Sequence, residues 1–307
     1  MLNFILARLL SAFGVILGVV LLVFLLIHLV PGDPIEVMLG ESASAVDKTL
    51  LRHSLGLDKS LSEQFIQFLY GLSHFDFGTS LHSKKPIATL ITQRIMPTVE
   101  LTLAALLVAC LLAFPLGIMA ALNKDKYPDG LAMGISLIGV SIPNFLMGPL
   151  LILLFSVALG WFPVSGRSGL ASLVLPALTL GSALAAILSR MIRASLLEVL
   201  NEDYIRTAKA KGLSKTRIIA VHALRNALLP VITLIGLQIG ALLAGAVITE
   251  MVFSWPGLGQ LTIESIQKRD YPVVQVCILL ISTTYVVINT LTDIAYGLLD
   301  PRIRLSE

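Results

Sequence analysis

Residues 9–30 read LLSAFGVILGVVLLVFLLIHLV, and His28 is the only ionisable side chain in the run. A helix rises about 1.5 Å per residue, so such a run suffices to cross the roughly 30 Å hydrocarbon core of a bilayer. Backbone groups in lipid must be bonded within the segment, which makes it a helix. A secretory signal has a shorter apolar core, about 7–15 residues, and a small-residue cleavage site after it. Here Pro31-Gly32-Asp33-Pro34 follows instead, a helix breaker with no such site. The reading is an uncleaved first span.

Working outward, five more blocks pass the same test, at residues 99–122, 131–160, 170–188, 228–248 and 273–298. The expected fold class is an all-α polytopic membrane protein with six transmembrane helices. The block at 131–160 contains Pro143 and Pro149. It is too short for two crossings and a turn, so one kinked or tilted helix is expected. Pro115 and Pro176 place similar weak points in the second and fourth spans. Of 307 residues, 56% are hydrophobic and 13% charged. Soluble domains carry about 25% charged residues, so the composition excludes a disordered chain and tells against an ordinary soluble enzyme. A net charge of +3 is too small for a nucleic-acid surface. Cys110 and Cys277 sit inside apolar runs and read as buried fillers; two cysteines make neither a disulfide scaffold nor a thiolate metal cluster.

Lys and Arg set the orientation. With the N-terminus inside, thirteen of the 22 fall on the inner segments 1–8, 123–130, 189–227 and 299–307. The remainder are spread over outer segments 31–98, 161–169 and 249–272, so both termini are expected to be cytoplasmic. Trp161, Phe162, Trp255 and Tyr271 then fall at the outer interface, where amphipathic rings settle. In the long outer loop, Ser60 and Glu63 form a capping box. Leu61, Phe65, Phe68, Leu69 and Leu72 recur at helical spacing after it, predicting a short amphipathic helix; packing on the other helices is the preferred reading and docking of a partner the alternative.

The inner connection is richer. MIRASLLEVLNEDYIRTAKAKGLSKTRIIAVHALRNALLP (191–230) carries its own punctuation. Asn201 is the expected N-cap, with Glu202 and Asp203 in the first turn and Arg206, Lys209 and Lys211 towards the other end. Gly212 supplies a left-handed stop, and Ser214 caps the next helix. The result is a rigid element of about three turns. Two readings stand at this point: a basic loop that grips anionic lipid, or a docking helix whose small residues Thr207, Ala208 and Ala210 let another protein's cleft close around it.

No phosphate-binding G-x-x-x-x-G-K-[ST] loop and no H-E-x-x-H pair is present. Val164-Ser165-Gly166 has no base beside it and reads as a turn. No catalytic residue, metal site or cofactor is therefore expected in this chain. His28, Glu100 and Asp293 lie near span ends and read as interfacial or packing residues. Candidate polar groups for a translocation path are Ser141, Asn144, Thr233, Gln238 and Asn289, each equally explained by hydrogen bonding between helices. A conduit powered by another protein and an ATP-independent channel or secondary carrier both fit.

The run EDYIRTAKAKGLSKTRIIAVHALRNALLP (202–230) closely resembles the cytoplasmic coupling loop of ATP-binding-cassette importer permeases, in the dipeptide, oligopeptide, glutathione and nickel group. The resemblance extends through PGDP (31–34), LGLD (55–58), DFGTS (76–80), PTVELT (97–102), IPNF (142–145), FSWPGLG (253–259), RDYPVVQ (269–275) and DPRIR (300–304). The Glu-Ala-Ala triplet general to such loops is replaced by Arg206-Thr207-Ala208, as in the peptide and nickel group. The resemblance implies a type I importer permease fold, with the permease domain at about 95–305. It implies a bacterial inner membrane, a homologous second permease subunit, two cytoplasmic ATPases that bind ATP and Mg, an external substrate-binding protein, and alternating access. It also implies that Asp203, Tyr204, Arg206, Thr207, Ala208, Lys209 and Gly212 form the helix seated in an ATPase groove. Di- and oligopeptides are the preferred cargo on this reading, with nickel or glutathione as alternatives.

Overall fold

Long apolar runs become long helices, and most of them outgrow the runs that announced them. The computed structural model describes residues 2–29, 34–39, 44–54 and 56–299. The expected break at Pro31–Asp33, Leu55 of the LGLD motif, and the DPRIR segment with Arg302 and Arg304 lie outside the described residues. In chain order the helices are α1 (Leu2–Leu29), α2 (Pro34–Leu39), α3 (Ala45–Ser54), α4 (Leu61–Ser73), α5 (Ile87–Leu122), α6 (Tyr127–Ser141) and α7 (Asn144–Leu151). They continue with α8 (Leu170–Val199), α9 (Asp203–Ala210), α10 (Lys215–Arg217), α11 (Leu224–Val252), α12 (Leu258–Gln267) and α13 (Tyr271–Leu299). Two π-helical stretches, Ile152–Ala158 after α7 and Ile218–Ala223 before α11, complete the set.

Among the described residues five helices are long and apolar enough to cross a membrane, and six if α6 and the α7 arm count as one broken span. That pair corrects the single kinked helix expected over 131–160. The two arms meet at 105°, a break rather than a kink. Ile142 is extended (φ −93°, ψ 115°), and so is Pro143 (φ −60°, ψ 145°). Proline disfavours the helical region for the residue before it, so the chain leaves the helix for two residues and starts again at Asn144. Helix α5 begins at Ile87, well before residue 99, and α8 runs on to Val199, past residue 188. Helix α12 lies within the expected outer loop at 249–272.

The chain divides into two compact units, Met1–Thr98 with Pro256–Thr290, and Val99–Trp255 with Leu291–Glu307. The first unit has a core of Ile87, Ile91, Leu258, Leu261, Val273, Val276 and Cys277. Helix α4 starts at a reciprocal capping box, the Ser60 hydroxyl accepting from the Glu63 amide and the Glu63 carboxylate accepting from the Ser60 amide. Its Phe65 and Phe68 lie against Phe24 of α1, with ring centroids 5.1 and 5.8 Å away. The motifs DFGTS and RDYPVVQ meet at one carboxylate. Asp270, only 3% exposed, accepts from the Ser80 hydroxyl at 2.5 Å and from the amides of Leu81 and His82 at 3.1 and 3.2 Å. In the exposed segment between α3 and α4, the hydrogen bond from His53 holds the Asp58 carboxyl below its ordinary value.

The second unit is built by close helix approach. Leu101, Ala105, Ala109 and Ala113 recur every four residues along α5 and are completely buried. They face Leu180, Leu184, Leu188 and Ile192 of α8, with Val231, Leu242 and Ala246 of α11 and Trp255 in the same core. Gly181 has no room for a larger residue, because a Cβ there would stand 2.5 Å from the Ala105 carbonyl oxygen. Small residues at such crossings replace the missing hydrophobic drive with van der Waals contact between backbones.

Candidate coupling site

The connection between α8 and α11 holds a short helix at a defined angle by three separate devices. Helix α8 closes with the Asn201 amide group donating back to the Leu197 carbonyl at 3.0 Å. Asn201 thus finishes one helix rather than starting the next, which corrects its expected role. The N-cap of α9 is Glu202, which is extended (φ −67°, ψ 149°) and makes no side-chain cap. The helix is eight residues long rather than three full turns, or about 12 Å.

The first device is apolar. Ile205 and Ala208 lie three residues apart on one face and are 0% and 6% exposed, packed with Ala121, Leu196, Ile218, Ala223 and Ala227. Ala208 therefore faces its own chain. The reading of its small side chain as an opening for another protein's cleft is corrected, and that reading now applies to Thr207 and Ala210, both exposed. The second device is polar: the Asn226 amide group donates to the Tyr204 hydroxyl at 2.7 Å, tying α9 to the start of α11. The third is the stop. Gly212 adopts φ +74° with open space around it, so conformation rather than room requires glycine here. Its amide reaches the Lys209 carbonyl at 3.0 Å, and the Leu213 amide reaches Ala208 at 3.3 Å. The Ser214 hydroxyl then accepts from the Arg217 amide, as its capping role requires.

What remains outside is a polar, mostly basic face. Asp203, Arg206, Thr207, Lys209 and Lys211 are exposed, and Tyr204 is partly so. Arg206 pairs with Asp203 at 3.1 Å, a fully exposed contact of little stabilising value, and the Thr207 hydroxyl is turned to the Asp203 carbonyl. Of the seven residues expected to form the coupling helix, five present themselves outwards, Ala208 anchors, and Gly212 ends the helix.

Two supporting contacts escape local sequence reading. Arg193 near the end of α8 makes a bidentate pair with Asp129 of α6 at 2.7 and 2.6 Å, and Asp129 is 5% exposed. The Ser195 hydroxyl donates to the Ala227 carbonyl at 2.9 Å, joining α8 to α11 beneath α9. The partners lie 64 and 32 residues apart, and the only local signal was an acidic residue just ahead of an apolar block.

The five path candidates are spread over α6, α7, α11 and α13. Ser141 and Asn144 flank the 105° break, the first exposed and the second half-buried. Thr233 spends its hydroxyl on the Leu229 carbonyl at 3.1 Å. Gln238 is five residues further along α11, about 140° around the axis. Asn289 lies in the first unit, with its Oδ1 buried and without a partner among the described residues. Among the described residues no group of three or more His, Cys, Asp or Glu is placed to hold a metal.

Residues 113–305 match the family of binding-protein-dependent transport system inner membrane components, and residues 1–102 match its N-terminal module. The chain belongs to this family. The permease is similar over its whole length to curated relatives. It is 45% identical over 304 residues to the glutathione transport system permease protein GsiC of Escherichia coli strain K12, and 44% identical to GsiC of Salmonella paratyphi A, covering 99% of each chain. Among solved structures it resembles the MetNI methionine ABC transporter in inward-facing conformations, with TM-score 0.59 and 18% identity over 69% of this chain and 97% of that one. It also resembles an amino acid ABC transporter solved with histidines, at TM-score 0.53 and 16% identity over 70% and 94%. These two likenesses establish the fold. The protein is a multi-pass inner-membrane permease subunit of an ABC importer, a non-catalytic component that carries no cofactor and works with ATPase and binding-protein partners.

Proposed function

We propose that this permease lines the path of an ATP-driven importer for glutathione or a closely related small peptide. The observation that carries the proposal is 45% identity across 304 residues with a permease named for glutathione transport. It moves the reading from di- and oligopeptides in general towards the glutathione alternative, and nothing at the path candidates favours nickel. In this reading the permease pairs with a homologous second subunit, and α9 faces the cytoplasm in the groove of one of two ATPases. Arg206, Thr207 and Lys209 meet the ATPase surface, while Ile205 and Ala208 transmit its movement to α5, α8 and α11. A lever of this kind must be stiff. The buried face, the Tyr204–Asn226 hydrogen bond and the Gly212 stop supply that stiffness, and the break at Ile142–Pro143 supplies a joint about which segments rearrange during alternating access.

The test is uptake of radiolabelled glutathione into proteoliposomes holding the complete importer, with ATP inside and binding protein outside. Uptake that needs both, and that unlabelled glutathione suppresses more strongly than dipeptides or nickel, supports the proposal. Dipeptide uptake that glutathione fails to compete with overturns the substrate assignment. Transport by the permease subunits without the ATPases overturns the coupling mechanism and favours a channel or secondary carrier.

A further inference from the structure

Two turns of the first unit meet at Asp270 and leave a set of cations facing water. Residues 80–85 lie between α4 and α5, and residues 268–270 between α12 and α13. The first turn is closed on itself. The Ser80 amide donates to the Lys85 carbonyl at 2.9 Å, the Lys84 amide to the Ser80 carbonyl at 3.1 Å, and the Ser83 amide to the Ser80 hydroxyl at 2.9 Å. The buried Asp270 carboxylate then ties this frame to the second turn through Ser80, Leu81 and His82. His82, Lys84, Lys85, Lys268 and Arg269 are all exposed. Lys84, Lys85 and Lys268 make no ion pair among the described residues, because the carboxylate between the turns is spent on amides and a hydroxyl. The cations are thus free while the backbone that carries them is fixed.

Helix α5 gives the height of this cluster. Its exposed face carries Thr89, Thr92 and Gln93 first and Met96, Leu103 and Leu107 after them, so polar surface gives way to apolar surface at about Met96. Ile87 lies nine residues before Met96, about 13 Å along the axis, and the lysine turn comes before Ile87. A headgroup layer is about 5–8 Å deep on each side, so the cluster stands in water beyond it. At the other end of α5, Ala121 packs under α9. With α9 on its proposed cytoplasmic side, on which this inference rests, the cluster lies outside the cell membrane. Separate exposed lysines hold a small anion weakly in water, whereas several on one stiff frame suit a protein surface of opposite charge. We propose that the two turns are a docking surface for an acidic face of the external binding protein. A frame already fixed before contact loses little freedom on docking, and its charges act chiefly on the rate of encounter.

The assay is biolayer interferometry with the complete importer in phosphatidylcholine nanodiscs and its binding protein in solution, at low and high salt. Lys84→Gln with Lys85→Gln and Lys268→Gln should slow association about tenfold at low salt and little at high salt, where the charges are screened. Arginine at the same three positions should leave the rate as it was, and Lys84→Glu with Lys85→Glu should slow association further. A photo-crosslinking side chain in place of Ser83 should capture the binding protein. An unchanged low-salt rate in the triple glutamine variant overturns the proposal, and so does capture of the second permease subunit from Ser83. A triple variant that keeps its association rate but no longer retains phosphatidylglycerol in mixed nanodiscs also overturns it, by assigning the cluster to lipid. Capture of an ATPase at Ser83 would overturn the placement of α9 as well. No cargo is chosen and no uptake is read, so the docking surface can fail while the glutathione assignment stands.

Discussion

Replacing Ile205 by Ala should loosen α9 while leaving its outward face chemically unchanged. Ile205 is completely buried among Ala121, Leu196, Ile218, Ala223 and Ala227, small or branched neighbours on four separate segments. Such a site collapses poorly around a void, and deletion of buried methyl and methylene groups costs about 2–5 kcal/mol. Taking about 3 kcal/mol, the population in which α9 has lifted from its seat should rise about 150-fold. The remaining ties, the Tyr204–Asn226 hydrogen bond and the Gly212 stop, keep the rest of the chain folded. Trypsin is a direct reporter, since Arg206, Lys209 and Lys211 are exposed but lie in or beside helix and are cut only on local opening. Where opening is fast relative to cleavage, the rate follows the open population, so cleavage at these residues should accelerate by about two orders of magnitude. In the assembled importer, ATP hydrolysis should persist while uptake falls. Ile205→Val, costing about 1 kcal/mol, should give only about a fivefold change. Unchanged cleavage together with unchanged uptake in Ile205→Ala would refute the anchoring role.

Two further substitutions test the units separately. Asp270→Ala leaves the Ser80 hydroxyl and the Leu81 and His82 amides without their acceptor and should destabilise the first unit by about 3 kcal/mol, against about 1 kcal/mol for Ser80→Ala. A thiol-reactive dye reads this through buried Cys277 in a Cys110→Ser background, and equal unfolding midpoints for the two variants would contradict the clamp. In the second unit, Gly181→Ala forces a Cβ against the Ala105 carbonyl and should cost about 1–3 kcal/mol, whereas Gly134→Ala, with nothing within 4 Å, should be neutral or stabilising by about 0.5–1 kcal/mol. Thermal unfolding followed by the fluorescence of buried Trp255 would show the difference, and equal midpoints would contradict the close approach of α5 and α8.

What could be read from the chain alone was whatever is written locally. Unbroken apolar length announced the spans, Ser60 with Glu63 announced the start of α4, and Gly212 announced the end of α9. The direction in which α9 faces was not legible, because an alanine among charged residues looks the same whether it turns in or out; the packing of Ala121, Leu196, Ile218, Ala223 and Ala227 around it decides it. The break before Asn144 was written in Pro143, yet a proline signals a weak point without fixing the angle, and the packing of each arm on its neighbours sets the 105°. Asp270 and Ser80 lie 190 residues apart, and Arg193 and Asp129 64, so neither contact has any periodic signature. Among the path candidates, Thr233 proves to be bonded to its own helix.

The π-helical stretch Ile218–Ala223 sits between the cap at Ser214 and the long run of α11. Each π-type hydrogen bond closes over five residues instead of four, so the stretch behaves as an inserted residue and rotates everything after it by about 100° relative to an unbroken helix. A helical wheel drawn continuously from Lys215 to Val252 would consequently mix two unrelated stripes. Deleting a single residue there would regularise the winding and leave the far end of the segment in phase with its neighbours, whereas winding the unshortened stretch as regular α-helix would swing that end away from the partners it was shaped to meet.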